Sequence, residues 1–122
     1  MDSIRQEPVS RYVQQLSVER TEHGSTVVFH CRGPFSILND LRLREFEREV
    51  AEAAGQKVVL DFREVTYLDS RGVGTLAGCV KKAQALQKEL RLVPNPNVRS
   101  VILTVGLDKV LPLQESVEEA LR

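Results

Sequence analysis

The chain has 122 residues, 42% hydrophobic and 28% charged, the balance of one soluble globular domain with its own core. Its 17 Lys and Arg offset its 17 Asp and Glu, so no charge excess points to nucleic acid or an anionic membrane surface. No apolar run nears the roughly 20 residues of a bilayer span. The opening MDSIRQEPVSRYVQQ lacks the apolar core of a signal peptide, and Cys31 and Cys79 stand far apart with no CxxC partner; the expectation is a cytoplasmic protein with reduced thiols and no membrane insertion.

Residues 1–11 are polar and contain Pro8, which predicts a loose arm ahead of a domain over 12–122. Tyr12, Gln14, Leu16 and Val18 alternate with their neighbours as a strand does. TEHGS reads as a turn, and TVVFHCR, Thr26 to Arg32, as the second strand of a hairpin, ended by Gly33-Pro34. Asn39 or Asp40 can cap a helix running to about Ala54, with Leu43, Phe46, Val50 and Ala53 inward and Gly55 as its stop. Lys57 to Arg63 predicts a strand, with Val58, Leu60 and Phe62 on one side and Val59 on the other. A second helix follows, carrying Val73, Leu76, Ala77, Val80, Ala83 and Leu86 on one stripe. Leu90 to Val93 is a short strand. Asn95 and Pro96 open a third helix with Val98, Val101, Ile102 and Val105 inward, stopped by Gly106. Val110 to Leu113 is a candidate last strand, and Ser116 with Glu119 forms a capping box for a terminal helix. Strands alternating with helices imply an α/β fold with a mixed, mostly parallel sheet of four to five strands and about four helices.

The chemistry on offer is sparse. His23 falls in a turn and His30 in mid-strand, neither near Ser70 in sequence, so no base is evident for a nucleophile. The cysteines read as core fillers, and no cluster of metal ligands or cofactor-binding motif stands out. RGVG lacks the third glycine of a dinucleotide fingerprint. A receiver-type phosphoacceptor at Asp61 would want a nearby acidic pair for Mg²⁺, and Glu19 and Glu22 are loosely placed for that. What stands out is TYLDSRGVGTL, Thr66 to Leu76, where a strand hands over to a helix. Ser70 suits the N-cap, its hydroxyl accepting from Gly72 and Val73 N–H groups. That requirement alone accounts for a serine. Two glycines in the first helical turn each cost about 1 kcal/mol. They leave the surroundings of Ser70 bare, as suits a serine that is modified or read by a partner.

VVLDFREVTYLDSRGVGTL resembles the signature of the STAS domain, the fold of the anti-sigma factor antagonists of bacteria. Val58 to Asp61 match its strand, and Asp69, Ser70, Gly72 and Gly74 its turn, within a likeness from about Leu16 to Leu121. The resemblance implies a non-enzymatic module without metal or cofactor. Unphosphorylated, it would bind an anti-sigma factor that is also a GHKL-type serine kinase. Phosphorylation of Ser70 would break that complex, and a serine phosphatase would restore it. It also implies a contact surface of Asp69, Ser70, Arg71, Gly72, Gly74 and Ser36. Two positions depart from the family: Gly33-Pro34-Phe35-Ser36 stands where Gly-Glu-Leu-Asp is frequent, and Arg71 where the residue is often small. The same fold serves as a subunit of stressosomes and of lipid-transport ABC complexes; there Ser70 would be helix cap and contact surface only.

Overall fold

The structure, a computed structural model, describes residues 14–122, so the arm expected over 1–11 lies outside it. Strand β1 (Ser17–His23) turns into β2 (Thr26–Phe35), followed by helix α1 (Asp40–Glu52), β3 (Lys57–Leu68), α2 (Ser70–Ala85), β4 (Glu89–Pro94), α3 (Pro96–Val105) and α4 (Val117–Leu121). The strands form one sheet in the order β1-β2-β3-β4. β1 and β2 are antiparallel, whereas β2, β3 and β4 run parallel, as crossover helices require. The mixed α/β architecture is the one the element order predicts.

The sheet divides the core by residue parity. Val58, Leu60 and Phe62 join Val27, Phe29, Leu43, Phe46, Val50, Leu76 and Ile102 in the large cluster under α1, α2 and α3. Val59, pointing the other way, meets Val28, Val93 and Ala120, so α4 covers part of the opposite face. All four phenylalanines of the chain lie in the large cluster and touch. Phe35 is 4.7 Å from Phe62 and 5.3 Å from Phe46, centroid to centroid, which packs the end of β2 against α1 and β3.

Several expected boundaries move. β1 begins at Ser17 and Gln14 to Leu16 are not strand, while residues 12 and 13, where the strand is expected to open, lie outside the described chain. β1 also takes in Thr21 to His23, leaving Gly24-Ser25, with Gly24 at φ 62°, as the turn. Gly33-Pro34 does not end β2. The strand continues to Phe35 through shifts of register at His30/Arg32 and Gly33/Pro34, and such irregularities are where a sheet accepts a proline without an N–H. β3 extends to Leu68 because that prolonged β2 pairs with it, Phe35 opposite Leu68. α1 ends at Glu52, two residues before the expected limit. Leu86 and Val105, expected inward, are exposed at helix ends. Val110 to Leu113 is no strand: Leu113 makes a single parallel bridge to Leu92, and the proline at 112 has no N–H to extend it. The other helix signals hold. Asn95 Oδ1 accepts from Val98 N at 2.8 Å, Gly106 closes α3 at φ 77°, and Ser116 Oγ accepts from Glu119 N at 3.0 Å.

Candidate functional site

The handover from β3 to α2 lies beside the end of β2. The helix cap there is Asp69, not Ser70. Asp69 has extended backbone (φ −105°, ψ −174°), and its Oδ1 accepts from Gly72 N at 2.9 Å. Its Oδ2 accepts from Ile37 N at 3.0 Å. One carboxylate thus ties the N-terminus of α2 to the single 3-10 turn Ile37–Asn39 that precedes α1. The two carboxylate oxygens serve these two donors separately, one on α2 and one on the turn before α1. Ser70 is therefore the first helical residue, exposed, with its hydroxyl released from capping.

The two glycines have different causes. A Cβ on Gly72 would sit 2.1 Å from the Phe35 carbonyl oxygen and 2.7 Å from Leu68 Cδ1, so Gly72 is buried by close packing of α2 on the strand ends. A Cβ on Gly74 would meet nothing within 4 Å. Gly74 is exposed and lies four residues after Ser70, on the same face one turn along. The fold does not ask for a glycine there.

Arg71 reaches across to α1. Its Nε donates to Asp40 Oδ1 at 2.5 Å and its Nη1 to the buried Thr75 Oγ1 at 2.8 Å. Asp40 Oδ2 takes a second partner, Arg44 Nη2, at 3.1 Å. Ser36, placed by the family likeness on the contact surface, is fully buried; its Oγ accepts from Leu38 N at 3.3 Å and shapes the turn from within. That assignment is corrected: Ser36 supports the surface and does not form it. Asp69, Ser70, Arg71 and Gly74 are reachable from outside, and Gly72 is not.

Sequence reasoning missed the apolar rim. Ile37, Leu38 and Leu41 are 59%, 57% and 74% exposed, beside an open hollow of about 540 Å³ edged by Asp40 and Glu45. The signal was available in ILNDL: Leu41 falls off the Leu43, Phe46, Val50 stripe, so α1 cannot bury it.

Elsewhere the reactive side chains are occupied. His30 Nδ1 lies 2.7 Å from Asp61 Oδ2, and Arg63 gives Asp61 bonds from its backbone N, Nε and Nη2. Burial alone would raise the Asp61 pKa, but the hydrogen bonds of Arg63 and His30 together outweigh it and hold the carboxyl below its ordinary value. Both histidines converge on the Thr21 hydroxyl, at 3.2 and 3.1 Å, far along the chain from Ser70. The thiols are buried, which pushes Cys31 well up and Cys79 to about 12, as inert core fillers. Among the described residues no three His, Cys, Asp or Glu side chains are grouped to hold a metal, and no helix is long and apolar enough to cross a membrane.

A four-stranded mixed sheet with helices on both faces, and an exposed serine opening the helix after its central parallel strand, defines a class of small α/β domain. Residues 17–120 match the STAS domain model, and the chain belongs to the STAS domain family. Its fold is similar to the crystal structure of an anti-sigma factor antagonist from Mycobacterium paratuberculosis, with TM-score 0.79 and 24% identity over 87% of this chain and 91% of that one. It is similar to the anti-sigma factor antagonist SpoIIAA in its unphosphorylated form (TM-score 0.65, 22% identity, 84% and 90% covered). It is similar also to the Bacillus cell fate determinant SpoIIAA in its phosphorylated form (TM-score 0.61, 22% identity, 84% and 94% covered).

Proposed function

We propose that this chain is a phosphorylation-switched anti-sigma factor antagonist without turnover of its own. Unphosphorylated, it binds an anti-sigma factor of the GHKL serine kinase type in the cytoplasm. Transfer of phosphate to Ser70 ends that binding, and a serine phosphatase restores it. The observation that carries this reading is the pairing of Ser70 with Gly74. An exposed hydroxyl freed from capping is followed, one turn on, by a glycine that lowers helix stability and relieves no clash. Such a residue makes sense where another protein must come close to the hydroxyl. The apolar rim of Ile37, Leu38 and Leu41, joined to the serine turn through Asp69, supplies area for that contact. The test is phosphate mapping. Co-purified kinase and ATP are expected to label Ser70; label on Thr66, Thr75 or elsewhere contradicts the proposal. A transporter ATPase in the pull-down in place of a kinase would instead favour the role of an assembly subunit.

A further inference from the structure

We infer that Arg71 is a positioning residue for a phosphate on Ser70, and that it takes this role by exchanging Asp40 for the phosphate. The inference rests on the reading of Ser70 as phosphoacceptor and adds the residue through which the phosphate acts within the fold.

Three features carry it. Arg71 directly follows Ser70, so their Cα atoms are about 3.8 Å apart, well within the reach of an extended guanidinium. Next, the guanidinium is held between the start of α1, at Asp40, and Thr75, one turn along α2. Its two bonds, to Asp40 and Thr75, use Nε and Nη1 and leave Nη2 over. Finally, Asp40 does not depend on Arg71. Arg44 holds its other oxygen, so the departure of Arg71 leaves no carboxylate unpaired.

A phosphoserine carries about −1.5 to −2 charges near neutral pH, against one charge on an Asp40 shared between two arginines. Arginine binds phosphate with two parallel donors, and that geometry favours the exchange. The other nearby carboxylate, Asp69, has both oxygens committed to Gly72 and Ile37 N–H groups, and its charge repels the phosphate from the cap side toward Arg71. The exchange releases one of the two ties between the starts of α1 and α2 and leaves that of Asp69 to Ile37. Asp40 adjoins Leu41 and follows the Ile37–Asn39 turn, so phosphorylation would reach the apolar rim as well as adding charge.

The test uses the full chain with phosphoserine installed at position 70 during translation, and reads the second ionisation of the phosphate by ³¹P NMR. A cation in contact favours the dianion, so the pKa in the wild type is expected to lie about 0.5 or more below that in Arg71→Gln. Arg71→Lys is expected to recover part of the difference. A purely structural Arg71 would alter melting temperature and leave this pKa alone. Equal values in wild type and Arg71→Gln overturn the inference, because Asp69 and the helix terminus are common to both. Since no kinase is involved, that result leaves the assignment of Ser70 as phosphoacceptor standing; that assignment falls separately if kinase labelling maps elsewhere.

Discussion

Replacing Asp69 should harm the fold, whereas replacing Ser70 should not. An N-cap at Ser70, as the sequence suggests, would make Ser70→Ala the costly change. The structure moves the cost to Asp69. Asp69→Ala removes a cap, worth about 1 kcal/mol, and a negative charge at a helix N-terminus, worth about 0.3–1 kcal/mol. It also frees the N–H of Ile37, but that group is exposed and water can replace the carboxylate. The sum is about 1–2 kcal/mol. At an unfolding entropy of about 2.1 cal/mol/K per residue, each kcal/mol is about 4 °C for a chain of this length. Asp69→Ala should therefore lower the melting temperature by about 4–8 °C. Ser70→Ala replaces an exposed first-turn residue and should stay within about 0.5 kcal/mol of wild type. Calorimetry of the two variants decides between the caps. A drop for Ser70→Ala as large as that for Asp69→Ala would refute the reasoning.

The glycines should separate in the same assay. Gly74→Ala should raise stability by about 1 kcal/mol while weakening partner binding in a pull-down titration. Gly72→Ala should destabilise by about 1–3 kcal/mol, since its Cβ falls on the Phe35 carbonyl, and denaturant melts will show it. Asp61, with its pKa held below the ordinary value, should contribute stability that is present above about pH 4 and lost as pH falls through the folded-state pKa. The stability gap between wild type and Asp61→Asn, measured by urea unfolding across pH, should then shrink as pH falls below about 4.

Local signals are legible in the sequence where they are self-contained. Asn95-Pro96 and Gly106 bracket α3 through contacts within a few residues, and the period of Leu43, Phe46 and Val50 belongs to α1 itself. The parity of Val59 against Val58 and Leu60 is legible too, because successive residues of a strand point to opposite faces. Where a distant partner decides, the local sequence is ambiguous. Gly33-Pro34 looks like a stop until β3 is there to pair around it. Asp69 and Ser70 can both cap a helix. Asp69 prevails because it also holds Ile37, 32 residues away in the chain. Gly72 and Gly74 are alike in sequence, and the packing of Phe35 and Leu68 on Gly72 distinguishes them. The two histidines meet at Thr21 through the hairpin register, which spacing alone does not reveal.

The switch itself is tested most directly by the affinity of the kinase partner for the chain with and without phosphate on Ser70. A phosphate of about −1.5 to −2 charges facing a partner carboxylate about 6 Å away meets repulsion of roughly 1–5 kcal/mol, for dielectrics between about 80 and 20. Isothermal titration of both forms against one kinase preparation is expected to show binding at least about fivefold weaker for the phosphorylated chain, with Ser70→Ala binding like the unphosphorylated one. Equal affinity of the phosphorylated and unphosphorylated chains would contradict the account.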